Sequence, residues 1–226
     1  MSFDLAPVWI SLKTSLTATA IALILGVAVA EWRERKRRAF GGVIDALCLL
    51  PLILPPTVVG FFLLLLFGRN GPIGQLLLRF GAVVVFSWSA TVIAAAVVAF
   101  PLVYITARGA FAQLEPGLAG AARTLGASEW RVFRRVTLPL AAPGIFAGAT
   151  LAFARALGEF GATVMLAGDI PGRTETLPLA IYFDIEAGQM RQAFGAVAVI
   201  LIVSLAVLLA LAVWARAQRR RRIPEK

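Results

Sequence analysis

Two ionisable side chains of opposite charge, Arg155 and Glu159, lie four residues apart within a long apolar stretch of the chain. On a helix this spacing places both groups on one face, where they can form an ion pair. Ionisable groups at membrane depth are costly, and they usually face a bundle interior, a partner or water. The pair therefore has two interpretations. It is either a self-neutralising structural pair, or part of a gate or substrate path next to Gly158 and Gly161.

The residue types that most enzymes use for catalysis are scarce in this sequence. It contains no histidine, and Cys48, its single cysteine, lies in an apolar run. This composition excludes a disulfide framework, His-dependent zinc or haem sites and every His-based catalytic dyad. An intramembrane enzyme would have to rely on Ser, Asp and Glu alone, and no convincing pairing of a nucleophile with a base is present. We therefore expect no catalytic residues and no metal site.

The sequence also lacks a phosphate-binding loop. Its only lysines are Lys13, Lys36 and Lys226, and none of them follows a glycine-rich loop. The cradle of backbone amides and lysine that holds a nucleotide phosphate is therefore missing. We expect this chain to bind no cofactor and not to hydrolyse ATP itself.

The elements that must position these residues are membrane helices. Hydrophobic residues make up 60% of the chain, charged residues 15%, and the mean hydropathy is +0.86. A membrane helix needs about twenty apolar residues. These values predict an all-α, polytopic bundle in one transmembrane domain, residues 1–226, with spans at about 8–30, 44–67, 82–107, 140–167 and 193–215.

The basic residues are concentrated in alternate connecting segments. Segments 31–43, 108–139 and 216–226 hold five, five and six Lys or Arg residues, whereas 68–81 and 168–192 hold two each. The positive-inside rule therefore predicts an outside amino terminus and a cytoplasmic carboxyl terminus. Nucleic-acid binding is the alternative explanation of the net charge of +10, but no aromatic-interleaved soluble module accompanies the charge.

The second span contains three prolines, Pro51, Pro55 and Pro56. Each removes a backbone donor and crowds the preceding turn, so the helix must kink or break. The break is either a structural kink or the lining of a path, where irregular backbone is tolerated at membrane depth. The residues that are candidates for a translocation path or gate are Pro55, Pro56, Thr57, Arg155, Glu159 and Thr163.

Small residues recur four positions apart in two of the predicted spans. Ala22, Gly26 and Ala30 do so in the first span, and Gly144 and Gly148 in the fourth. This spacing lets helix backbones approach closely in a membrane. It favours either a tight bundle or a dimer seam.

The long basic loop 108–139 has a local pattern of its own. A short helix is predicted over Leu118–Leu125, with Gly126 supplying a positive φ and Ser128 capping the next helix. Trp130, Phe133 and Val136 then recur every third residue, which suits a helix at the membrane surface. Spacing alone does not distinguish an interfacial loop from a docking helix.

A family resemblance does distinguish them. Residues 121–128, Ala-Ala-Arg-Thr-Leu-Gly-Ala-Ser, followed by Val-Thr-Leu-Pro at 136–139, resemble the Glu-Ala-Ala loop of binding-protein-dependent ABC importer permeases. In that family the loop forms the coupling helix that sits in a cleft of the ATP-binding subunit. Gly120 occupies the position where the family usually has glutamate. The resemblance implies an ATPase-coupling loop formed by Gly120, Ala121, Ala122, Arg123, Thr124, Leu125, Gly126, Ala127 and Ser128.

The resemblance extends over nearly the whole chain. Segments 54–60, 67–74, 154–163 and 170–182 are similar to molybdate permeases, with sulfate and tungstate permeases as near relatives. The family implies a homodimer in the inner membrane, bound to two ATPase subunits that hold ATP and Mg, and fed by a periplasmic oxyanion-binding protein. A self-contained channel or secondary anion carrier is the alternative from another class.

Overall fold

The computed structural model describes residues 4–35 and 41–222, and the described residues form helices and no β-strand. The predicted cytoplasmic basic residues Lys36, Arg37, Arg38 and Lys226 lie outside this described part. The all-α prediction is confirmed. The elements are α1 (Ala6–Arg35), α2 (Gly41–Ile53), α3 (Pro56–Phe67), α4 (Pro72–Arg79), α5 (Trp88–Ala112), α6 (Pro116–Thr124), α7 (Glu129–Val132), a π-helical turn (Phe133–Thr137), α8 (Leu138–Leu157), α9 (Gly161–Ala167), α10 (Leu177–Glu186) and α11 (Met190–Arg222).

Helix α5 is the centre of the bundle. It packs against α1, α2, α3, α8 and α9, and its buried residues are mostly Ala and Val. Small residues on the neighbouring helices allow this close approach. A Cβ on Gly26 would lie 2.8 Å from Cγ1 of Val103, and one on Gly144 would lie 2.7 Å from Cβ of Ala110. The small-residue spacing therefore serves packing within one chain.

Helices α1 and α11 contain the first and fifth predicted spans, and α5 contains most of the third. The first and fifth spans, 8–30 and 193–215, lie inside longer helices. The third prediction, 82–107, begins too early, because α5 starts at Trp88. Residues 81–87 form a turn instead, with positive φ at Gly81 and Phe86 and a hydrogen bond from the Ser87 hydroxyl to the Val84 carbonyl.

The second and fourth predicted spans are interrupted. The pair α2 and α3 is bent by 111° at residues 54–55, and 140–167 is divided between α8 and α9 by residues 158–160. By length and composition, the described residues contain four helices able to cross a membrane, or up to five if the bent pair counts as one span. The prediction of a continuous fourth helix is wrong, because Gly158 ends α8 and a new helix begins at Gly161.

Two short helices, α4 and α10, were not predicted, and they lie in segments read only as connections. Helix α10 packs against the N-terminal half of α1, where the backbone N–H of Leu177 donates to the Ser11 hydroxyl at 2.7 Å. Helices α6 and α7 adjoin the other end of α1, which is 30 residues, or about 45 Å, long. The segments before and after α8 thus lie at opposite ends of α1.

Candidate functional site

The connecting segment comprises residues 113–137, between α5 and α8. Its first helix, α6, ends at a glycine turn, as the sequence predicts. Gly126 has φ of +80°, its N–H donates to Arg123 carbonyl oxygen at 2.9 Å, and the N–H of Ala127 donates to that of Ala122 at 3.1 Å. This pair of bonds is a Schellman motif, in which a residue of positive φ satisfies the last carbonyls of a helix. The predicted role of Gly126 is confirmed.

Ser128 occupies the predicted N-cap position of α7, but its hydroxyl makes no capping hydrogen bond. The backbone alone starts this helix, since the N–H of Val132 donates to the carbonyl of Ser128 at 2.9 Å. The predicted side-chain cap is therefore wrong.

The predicted apolar face of Trp130, Phe133 and Val136 is also only partly correct. Trp130 is 67% exposed, whereas Val132, which the pattern did not select, is 2% exposed. A π-helical turn follows at Phe133–Thr137, where the side chains no longer keep the spacing of a regular α-helix. Phe133 does turn inward and meets Phe111 edge-on.

The surface of α6 is open. Leu125 is 88% exposed, and a Cβ added to Gly120 or to Gly126 would meet nothing within 4 Å. The other residues of the predicted ATPase-coupling loop, Gly120–Ser128, are also exposed or half-buried in this chain. The structure thus brings Gly120–Ser128 together as one uncovered turn-and-helix surface.

Ion pairs tie the connecting segment together and to α1. The Glu129 carboxylate lies 2.7 Å from Nε of Arg123 and 3.1 Å from Nη1 of Arg35, and Arg35 also pairs with Glu31. The hydrogen bond from Arg123 holds the pKa of the Glu129 carboxyl below its usual value. Glu129 therefore stays charged and links α6 and α7 to the last turn of α1.

The second candidate region is the helix-break junction, residues 54–57 and 158–163. Pro51 is accommodated inside α2, but Pro55 and Pro56 stand at the start of α3, where a missing N–H leaves no bond unmade. The predicted break is confirmed at Pro55 and Pro56.

The two breaks meet through glycines. A Cβ on Gly161 would lie 2.9 Å from Cβ of Pro56, and one on Gly60 would lie 2.8 Å from Cα of Ala162. Both distances are shorter than real Cβ contacts allow. Only glycine therefore lets the start of α9 rest on the start of α3.

Arg155 and Glu159 form the predicted ion pair, with Nη1 and Oε2 2.7 Å apart, although this contact is not a well-directed hydrogen bond. Glu159 is 2% exposed, and its Oε1 accepts a hydrogen bond from the N–H of Ala162 at 2.8 Å. The pair does not lie on one continuous helix, because Arg155 lies in the last turn of α8 whereas Glu159 lies in the break between α8 and α9. The carboxylate thus both neutralises Arg155 and caps α9.

The other path candidates do not share one environment. Pro55 and Thr57 are exposed, Pro56 and Arg155 are half-buried, and the side chain of Thr163 is buried in α9. The structure therefore brings Pro56, Glu159 and the α9 terminus together, while Thr57 faces outward and Thr163 faces the core.

Sequence reasoning missed a polar cluster around Asp45 of α2. Its carboxylate accepts a hydrogen bond from the Tyr104 hydroxyl and lies 2.7 Å from Nη1 of Arg108 and 3.3 Å from Nε of Arg33. An isolated acid in an apolar helix was a usable signal, because such a charge requires a partner. The helices that supply these partners could not be predicted, because they depend on the tertiary packing.

Comparisons with known proteins agree with this architecture. Residues 22–223 match the family described as "Binding-protein-dependent transport system inner membrane component". The chain is 44% identical over 203 residues to the "Putative molybdenum transport system permease protein YvgM" of Bacillus subtilis, covering 89% of each chain. It is 47% identical over 176 residues to the "Molybdenum transport system permease protein ModB" of Escherichia coli K12, covering 77% of each.

Among solved structures, the chain is similar to one from "Inward facing conformations of the MetNI methionine ABC transporter". The TM-score is 0.72 at 18% identity, covering 96% of this chain and 99% of that one. At this identity the likeness concerns the fold. Together with the family match over most of the sequence, it leads to one conclusion: this chain is a multi-pass membrane protein that belongs to the inner membrane components of binding-protein-dependent transport systems.

Proposed function

We propose that this chain is the membrane-spanning subunit of an ATP-driven importer and forms the translocation path for molybdate. The observation that carries the proposal is the identity to two molybdenum transport permeases over most of both chains. Its sequence has no nucleotide-binding loop, and the α6 surface is uncovered. Both features suit a single-domain, non-catalytic permease that binds no cofactor itself and is driven through a partner.

The connecting segment is the part that receives the drive. Its α6 helix exposes small residues and ends at the Gly126 turn, so that a cleft of another protein can approach the backbone closely. We assign this surface to an ABC ATP-binding subunit, which carries ATP and Mg. A homodimer of this chain would then engage two ATPase copies, and a periplasmic molybdate-binding protein would deliver the anion on the opposite side.

The orientation follows from the charge of the connections. With the connecting segment in the cytoplasm, the three Arg-rich segments lie on one side and the amino terminus lies outside. The end of the bundle that contains α10 would then face the binding protein.

The helix-break junction is the proposed moving part of the path. Closing of the ATPase dimer would draw the two connecting segments together and turn the bundle outward, and release would turn it inward. The junction is suited to this movement because two interrupted helices meet there. Glu159 both caps α9 and pairs with Arg155, and these contacts support a structural role for the carboxylate. The proline break is therefore the stronger candidate for the gate.

The test is uptake of radiolabelled molybdate by proteoliposomes that contain this chain, its ATPase and its binding protein. We expect ATP-dependent accumulation that excess tungstate suppresses and excess sulfate does not. Suppression by sulfate at equal concentration would instead identify a sulfate permease. Accumulation by the chain without the ATPase would identify a secondary carrier or channel and overturn the proposal.

A further inference from the structure

The last turn of α1 holds two arginines whose side chains reach different elements. Arg35 reaches the connecting segment, where its Nη1 lies 3.1 Å from the Glu129 carboxylate and its Nη2 donates to the Glu129 carbonyl oxygen at 3.3 Å. Arg33, two residues earlier, reaches α2, where its Nε lies 3.3 Å from Asp45 and donates to the Gly41 carbonyl at the same distance.

The Arg33 contact is fitted closely to the start of α2. A Cβ on Gly41 would overlap the Arg33 guanidinium group, so the group lies directly on the backbone there. The side chain of Arg33 is 13% exposed, and that of Asp45 is 16% exposed. Asp45 in turn holds Tyr104 and Arg108 of α5, so the cluster joins three helices at one end of the bundle.

The contact between the connecting segment and α1 is not a filled apolar core. A cavity of about 270 Å³ lies between the end of α1, the end of α5 and the connecting segment, and Glu31, Arg35, Arg123 and Val132 are among its lining residues. This partly open cavity gives the segment room to shift relative to α1. The charged contacts across it are therefore what can make the two elements move together.

From Asp45, α2 leads directly to the helix-break junction. It runs from Gly41 to Ile53, and the 111° bend at Pro55 follows at once. Beyond the bend, the start of α3 rests on the start of α9. The contacts thus form a continuous series from the connecting segment, through the last turn of α1 and through α2, to the junction.

We propose that the last turn of α1 transmits movement from the connecting segment to the junction, with Arg35–Glu129 as its input contact and Arg33–Asp45 as its output contact. The inference rests on the proposed function. These four side chains are positioning residues: they touch neither the anion nor the nucleotide, and they set how much of the ATPase movement reaches the path. Breaking the input contact should leave ATP hydrolysis running while the path responds less.

The experiment compares Arg35→Gln, Glu129→Gln and the double variant in the reconstituted importer. For each, molybdate uptake and ATP hydrolysis are measured together and reported as anion transported per ATP. We expect each single variant to lower this ratio about fivefold, the lower end of allosteric couplings. All three variants lose the Arg35–Glu129 contact, and each single variant also loses one further ion pair, Arg35–Glu31 or Glu129–Arg123. The double variant should therefore fall less than the product of the two single losses.

Arg131→Gln is the matched control. This substitution removes one positive charge from α7, the helix that also holds Glu129. Arg131 is exposed and makes no ion pair with any described residue. It should keep the wild-type ratio. Co-purified ATPase and melting temperature, measured on every variant, separate loss of coupling from loss of assembly, which would lower uptake and hydrolysis in proportion.

Wild-type ratios in both single variants would overturn the inference, and so would additive losses in the double variant. A proportional loss of uptake and hydrolysis with reduced ATPase binding would overturn it too, because the residues would then serve assembly. These outcomes differ from failure of the proposed function, in which the wild-type complex itself would show no ATP-driven molybdate uptake.

Discussion

At the scale of single residues, the chain uses charge sparingly and pairs it closely. Glu159, Asp45 and Glu129 each form an ion pair with one or more arginines, and each of these carboxylates links two or more helices. Sequence spacing was enough to predict the Arg155–Glu159 pair, because its partners are four residues apart. It could not predict the Asp45 contacts or the Arg35–Glu129 contact, because these partners come from distant parts of the chain.

The first residue-scale prediction concerns Glu159. Glu159→Gln keeps an oxygen that can cap α9 but removes the charge facing Arg155, whereas Glu159→Ala removes both. We expect Gln to lower the free energy of unfolding by roughly 1–2 kcal/mol, less than a fully buried pair would lose because Arg155 is 29% exposed. Ala should cost about 1 kcal/mol more through loss of the cap.

The measurement for Glu159 is thermal melting of the purified complex together with uptake per folded complex. A structural role predicts lower melting temperatures and unchanged uptake per folded complex. Loss of uptake in Glu159→Gln at full stability would instead assign the carboxylate to the gate.

The second residue-scale prediction concerns Gly126. Its φ of +80° is strained for any side chain, while the space around it is open. Gly126→Ala should therefore cost about 1–2 kcal/mol locally, and Gly126→Trp should in addition block an approaching cleft. We expect Ala to retain much of the uptake, and Trp to abolish uptake and ATPase co-purification while the chain still inserts in the membrane.

Gly117→Trp is the comparison for Gly126, since Gly117 also has open space around it but lies at the other end of α6. It tests whether bulk anywhere on α6 is harmful. Intact assembly and uptake in Gly126→Trp would refute the assignment of this surface to the ATPase.

At the scale of elements, the decisive features are the two interrupted helices. The break at Pro55 and Pro56 was predictable because proline removes a backbone donor and crowds the turn before it. The break at residues 158–160 was not, because hydropathy continues across it and glycine alone is a weak signal in a membrane helix. Helices α4 and α10 were missed for a related reason: they are short, and only packing such as the contact of Leu177 with Ser11 stabilises them.

Close glycine packing at the junction gives an element-scale prediction. Gly161→Ala places a methyl group 2.9 Å from Pro56, and Gly60→Ala places one 2.8 Å from Ala162. Each should destabilise the chain by roughly 1–3 kcal/mol and separate the two helix starts. Melting temperature and uptake should both fall.

Gly109→Ala is the control for the junction glycines. Gly109 lies inside α5 with nothing within 4 Å of an added Cβ, so alanine there should be neutral or stabilising by up to about 1 kcal/mol. Equal effects of Gly109→Ala and Gly161→Ala would contradict the tight meeting of the two breaks.

At the scale of the whole molecule, the chain has the parts of a driven membrane subunit. One end of α1 adjoins an uncovered basic segment, and the other adjoins α10. Composition, periodicity and charge asymmetry predicted the fold class and the approximate spans, because membrane insertion depends on length and hydropathy. The contacts that join these parts depend on tertiary packing, and only the structure reveals them.

The most direct test of this account is a paired uptake measurement on one protein preparation. Proteoliposomes containing the chain alone are compared with proteoliposomes containing the chain, its ATPase and its binding protein. In both, ATP is inside the vesicles, on the side of the cytoplasmic face, and radiolabelled molybdate is outside. We predict accumulation in the complete complex and none with the isolated chain. Accumulation of molybdate by the isolated chain would contradict the account.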